Sequence, residues 1–100
     1  EFLRHIERTN LLIFLIDSTS EDIVRDYQIL NKELLNYSTE MIYKKRIICL
    51  SKIDLIPEEK RKEVTDKIID PNVKDQLAIS SITGENIQTL KYKCWELLHS

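Results

Sequence analysis

The sequence predicts an α/β fold in which a three-stranded parallel sheet is flanked by helices. Two observations predict it. Short apolar runs alternate with longer stretches whose apolar residues recur every three or four positions, and strands that alternate with helices imply parallel strands joined by crossovers. Each run also breaks abruptly into polar residues, at Asp17, at Ser51 and at Ser80. In open α/β sheets, ligands sit just beyond such strand ends.

Taken in order, Phe2 and Ile6 stand four apart among charged residues, which reads as the tail of a helix over Phe2 to Thr9. Leu11 to Ile16 is a run of six large apolar residues, predicting a strand buried on both faces. Ser18, Thr19 and Ser20 offer helix caps, with Glu21 placed as in a capping box. Ile23, Tyr27, Leu30 and Leu34, seconded by Val24 and Leu35, then predict a sheet-packing helix from about Glu21 to Tyr37. Ser38 to Lys45 is a polar connection, and Ile47 to Leu50 is a second buried strand. Pro57 suits the first position of the next helix, Glu58-Lys62 and Glu63-Lys67 are favourable pairs along it, Val64 and Ile68 supply its inner face, and Pro71 stops it. Leu77 to Ser80 is a short third strand. Residues 81–85 turn around Gly84, and Ile87, Leu90, Cys94 and Leu97 trace the inner face of a last helix, with Trp95 and Leu98 beside it.

Composition narrows the function classes. The chain has 100 residues, 42% hydrophobic and 32% charged, with a net charge of −2, so bulk electrostatics give no reason to expect nucleic-acid or membrane-surface binding. No apolar run approaches the ~20 residues of a membrane span, and a cytoplasmic location is the default expectation. Cys49 and Cys94 lack the close spacing of a zinc or redox motif and read as buried thiols. Gly84 is the only glycine, which excludes a phosphate-cradling P-loop and a dinucleotide-binding turn within these residues. His5 lies among charges and reads as a surface or packing residue. Lys44-Lys45-Arg46 reads as a solvated approach to the second strand, with an RNA contact as the alternative. Asp17 ends the first strand and reads as a cap for the following helix, with metal binding as the alternative.

Three stretches carry a resemblance. Ser51-Lys52-Ile53-Asp54 resembles the Asn/Thr-Lys-x-Asp base-specificity motif of the GTPase superfamily, and Ile79-Ser80-Ser81-Ile82-Thr83-Gly84-Glu85-Asn86-Ile87 resembles its Ser-Ala loop and the turn into the last helix. Phe2-Leu3-Arg4-His5-Ile6-Glu7-Arg8-Thr9 resembles the segment that follows the second switch in the Obg family, the ribosome-associated bacterial-type GTPases. The chain as a whole, residues 1–100, thus looks like the carboxy-terminal half of an Obg-type GTPase domain. That resemblance implies a three-layer, P-loop-GTPase-like fragment whose P-loop half lies elsewhere. It also implies a parent that binds GTP or GDP with Mg2+ held by residues outside the fragment, hydrolyses GTP, and acts in large ribosomal subunit assembly. The fragment alone should then be catalytically inactive.

The resemblance places the candidate nucleotide contacts at Ser51, Lys52, Ile53 and Asp54 in one loop and at Ser80, Ser81 and Ile82 in the other. The chemistry suits it. Guanine presents two N–H donors on one edge, and a carboxylate such as Asp54 accepts both at once. The aliphatic stem of Lys52 can lie over the purine while its ammonium reaches the ribose or loop carbonyls. Ser51 replaces the usual Asn, keeping one hydroxyl where the amide has two ends. By the same resemblance the Ser81 amide would contact the guanine carbonyl and the Ser80 side chain would brace Asp54. Asn86 stands where a second glycine is common and is one of the few residues that accept left-handed backbone angles.

Two other classes compete. A receiver-type phosphoacceptor domain also uses carboxylates at strand ends, but it requires a lysine where this chain has Ser80-Ser81-Ile82. A structural α/β interaction module without nucleotide would leave both loops merely solvated. One further expectation concerns assembly: the strand at Leu11 to Ile16 would have an open edge, inviting self-association.

Overall fold

The computed structural model describes residues 11–40 and 44–99. Phe2 to Thr9, His5 among them, and part of the connection expected over Ser38 to Lys45 lie outside the described residues. Within them the chain forms β1 (Leu11–Asp17), α1 (Ile23–Tyr37), β2 (Lys45–Ser51), a 3-10 turn (Ile53–Leu55), α2 (Glu58–Thr65), β3 (Gln76–Ala78) and α3 (Ile87–Leu98). The sheet is parallel in the order β1-β2-β3, with Leu11 opposite Lys45, Asp17 opposite Ser51, and Leu50 opposite Ala78.

Alternation along β2 explains why three layers form. Ile48 and Leu50 point to one face, where Leu12, Phe14 and Ile16 of β1 join Ile23 and Tyr27 of α1, with Val64 of α2 packed against them. Ile47 and Cys49 point to the other, where they meet Ile79 and the stripe Ile87, Leu90, Cys94 and Leu97 of α3. All four β2 residues are essentially inaccessible, as a central parallel strand covered by helices on both sides requires.

Several boundaries differ from the sequence expectation. In β1 only alternate residues are buried; Ile13 and Leu15, on the face away from α1, are 45% and 59% exposed. The first helix opens two residues later than expected, because Ser18 is still tied to the sheet through its amide to the Ser51 carbonyl, 3.1 Å. Its cap is Asp22, whose Oδ1 accepts from the Arg25 amide at 3.0 Å, rather than the Ser18 to Ser20 box. Pro57 is the residue before α2, not its first, and α2 ends at Thr65, well before Pro71. Ile68 is consequently 72% exposed and Ile69, 5% exposed, takes the inward position. Lys62 pairs with Asp66 at 2.9 Å in place of the expected Glu58. The loop that replaces the end of α2 is held by Gln76, whose Nε2 donates to the Lys67 carbonyl and whose Oε1 accepts from the Ile69 amide.

Two further differences lie at strand starts and ends. β2 begins at Lys45, and Arg46 is no solvated approach: its Nη1 donates to the Tyr27 hydroxyl and to Asn31 Oδ1, and its guanidinium stands 4.9 Å over the Phe14 ring. β3 closes at Ala78, although the Ile79 amide still bonds the Leu50 carbonyl at 2.8 Å.

Candidate functional site

The two loops singled out in the sequence leave the sheet side by side. Ser51 is the last residue of β2, and its hydroxyl donates to the Ile16 carbonyl at 3.4 Å, tying the loop to β1. Lys52 then adopts φ 59° and ψ 34°. This left-handed conformation costs a non-glycine residue about 1–3 kcal/mol and persists only where the surroundings enforce it. What enforces it is Ile53, 1% exposed, which plugs into the core and whose amide donates to the Ile79 carbonyl at 3.1 Å. The left-handed step at Lys52 lets the chain turn so that Ile53 faces in while Lys52 and Asp54 face out.

Ser80 joins the two loops. Its fully buried hydroxyl donates to Asp54 Oδ1 at 2.8 Å and accepts from the Thr83 amide at 3.1 Å. The turn is closed by Gly84, whose amide donates to the Ser80 carbonyl at 2.9 Å and whose φ of 81° disfavours any side chain although open space surrounds it. Asn86 takes φ 59°, and its Nδ2 donates to the Ala78 carbonyl at 2.7 Å, so the amide side chain secures the turn as well as tolerating the angle. Ser81 and Ile82 are exposed at the loop tip, Ile82 at 83%. The structure therefore couples Asp54 to Ser80, sets Lys52 beside β1, and leaves Ile82 apart from both.

Two features of the site were not assigned from sequence. Asp17 does not cap a helix: Oδ1 accepts from the Thr19 amide at 2.9 Å and hydroxyl at 2.6 Å, and Oδ2 pairs with Lys52 Nζ at 3.2 Å. The Thr19 hydroxyl foremost, then its amide, with help from Lys52, holds the Asp17 carboxyl below its ordinary value of 3.8. Arg61 of α2 donates to Glu85 Oε1 at 3.0 Å, bracing the second loop from the side. The signal for Asp17 was its place at a strand end adjoining the one that carries Lys52; for Arg61 there was none. Among the described residues no group of three or more potential metal ligands occurs. No helix among them is long and apolar enough to cross a membrane.

A three-layer α/β segment with paired polar loops at the carboxyl ends of its strands belongs to the architecture used by P-loop GTPases. No family model matches the chain. Individual relatives do. It is 44% identical over 99 residues to the GTPase Obg of Amoebophilus asiaticus, covering 98% of this chain and 29% of that protein. It is 45% identical over 87 residues to the GTPase Obg of Rickettsia bellii, covering 87% of this chain and 26% of that protein. Against the GTPase Obg of Salinibacter ruber the identity is 36% over 102 residues, covering all of this chain and 30% of the relative. The chain belongs to the Obg family of GTPases, and it spans about three-tenths of the length of these relatives.

Proposed function

We propose that residues 1–100 are the base-recognition half of an Obg-type GTPase domain, with Asp54 reading the guanine edge. The observation that carries this is the Ser80–Asp54 bond of 2.8 Å. A carboxylate left to solvent would swing freely; this one has a single oxygen engaged by a buried hydroxyl and keeps acceptor capacity on both oxygens for the paired N–H donors of guanine. Lys52 supplies its stem as a surface for the purine. Ser51 and Ile53 hold that loop to the sheet, while the Ser81 amide, with Ile82 following it, approaches the guanine carbonyl.

The complete protein, on this reading, binds GTP and GDP, hydrolyses GTP, and acts in the cytoplasm in large ribosomal subunit assembly. Its phosphate loop, its switches and its Mg2+ ligands lie outside residues 1–100. The strand-end carboxylate Asp17 is already engaged, by Thr19 at Oδ1 and by the Lys52 ammonium at Oδ2, a cation that competes with a metal for the same oxygen. The chain alone is proposed to be catalytically inactive.

Replacing Asp54 by Asn in the full-length protein tests the assignment. An amide presents one acceptor and one donor, matching the N–H beside a carbonyl that xanthine offers where guanine has its amino group. Sites built on such pairing discriminate by roughly 10⁴-fold. Paired titrations with GDP and xanthosine diphosphate should show Asp54→Asn losing GDP affinity and gaining xanthosine diphosphate affinity. An unchanged preference for GDP would remove Asp54 from base reading and leave the module without nucleotide as the better account.

A further inference from the structure

The carboxylate of Asp17 is aimed, not merely near. Thr19 delivers two hydrogen bonds to Oδ1, 2.9 Å from its amide and 2.6 Å from its hydroxyl, which fixes the plane of the carboxylate. Oδ2 is thereby turned to the Lys52 ammonium at 3.2 Å. Asp17 and Ser51 are register partners on adjacent strands, so the anchor sits one strand over from the residue that precedes Lys52. Lys52 is also fixed at its other end by a left-handed backbone that non-glycine residues adopt only under constraint. A lysine stem is ordinarily the most mobile of platforms. Here it is gripped at both ends.

We infer that Asp17 is a positioning residue for nucleotide binding: its carboxylate, set by Thr19, holds the Lys52 ammonium so that the methylene stem is laid out as a purine platform before any nucleotide arrives. The inference rests on the reading of Lys52 as the residue that covers the base. Ordering the stem in advance lowers the conformational cost of binding. Contact with a purine face does not depend on ring substituents, so Asp17 contributes affinity without discrimination, whereas Asp54 contributes discrimination. The Asp17 and Lys52 side chains are 40% and 60% exposed, and a pair in that setting has a modest effect.

The test is a double-mutant cycle in the full-length protein: Asp17→Asn, Lys52→Ala and the two combined, each titrated with GDP and with inosine diphosphate, which keeps the purine face and lacks the 2-amino group. Thermal unfolding is followed in parallel. Asp17→Asn should weaken both nucleotides by the same factor, about 3- to 5-fold, and add nothing in the Lys52→Ala background. Thr19→Val, which removes the hydroxyl and leaves the ion pair, should give a smaller loss in the same direction, and it serves where Asp17→Asn folds poorly. A further loss on adding Asp17→Asn to Lys52→Ala, a changed ratio between the nucleotides, or no effect of Asp17→Asn while Lys52→Ala weakens binding would each overturn the inference and leave the site reading intact. If Lys52→Ala itself leaves both affinities unchanged, the platform role of Lys52 fails first and the inference with it.

Discussion

Ser80 and Cys49 are both fully buried, yet burial acts on them in opposite ways. Ser80 keeps its polarity because donor and acceptor are both used, to Asp54 and from Thr83, and such a group is costly to delete from one side only. Cys49 has no such outlet: burial, then its neighbour Cys94, pushes its thiol up to about 11 from an ordinary 9.0. Folding thus favours the protonated thiol. The stability this contributes is fully present below pH 9.0 and is lost as pH rises to about 11, a total of about 3 kcal/mol. Denaturant titrations between pH 8 and 11 should show the wild type losing stability more steeply than Cys49→Ala, which lacks the titrating group although it starts lower. Equal slopes would mean that the thiolate is tolerated. The lysine pairs Lys62–Asp66 and Lys93–Asp75 raise their ammonium groups and also weaken above pH 10.5, but they do so in both proteins and cancel in the comparison. The burial of Cys49 was legible from its apolar neighbours. The partner of Asp17 was not, because it depends on the β1–β2 register and on the left-handed turn at Lys52, neither of which a local spacing encodes.

Strands were easier to read than the ends of helices, and β1 and α2 explain why. An apolar run such as Leu11 to Ile16 specifies a strand, but not whether its second face finds a cover; Ile13 and Leu15 look the same in sequence as Leu12 and Phe14. The end of α2 was misplaced because Pro71 seemed the stop, whereas Gln76 captures the backbone at Lys67 and Ile69 and draws the chain into a loop first. That capture joins residues on opposite sides of the loop and leaves no local mark. The two candidate loops were singled out by the resemblance of Ser51 to Asp54 and of Ile79 to Ile87 to GTPase motifs, and the Ser80–Asp54 bond brings them together. For β1 the consequence is testable. Among the described residues it lies at the edge of the sheet, with Ile13 and Leu15 exposed, and an edge strand is where a further chain can pair. Residues 1–100 alone should show a concentration-dependent rise in sedimentation coefficient, and Leu15→Lys, which places a charge on that face, should suppress it. A monomer at every concentration would show that the edge is protected.

At the scale of the whole chain, base contacts and phosphate contacts are separable parts of one binding site, and on the proposed reading residues 1–100 supply only the first kind. A phosphate site needs a glycine-rich loop whose amides converge, a helix amino terminus behind it and a lysine; with Gly84 as the single glycine, committed to the turn after Ser80, this chain cannot make that loop. The groups that the proposal assigns to the nucleotide are the Asp54 carboxylate for the guanine edge, the Lys52 stem for its face and loop amides for its carbonyl. None of them senses the number of phosphates. The isolated chain should therefore bind guanosine, GDP and GTP with similar, weak affinity and with no dependence on Mg2+, while an adenine nucleotide binds more weakly still. Nuclear magnetic resonance titrations report this directly: guanosine and GTP should shift the same amides, those of Lys52 to Asp54 and Ser80 to Ile82, with similar midpoints. Tight binding of GTP that requires Mg2+ would mean that residues 1–100 hold a phosphate site, and the division of labour argued from the glycine count would be wrong.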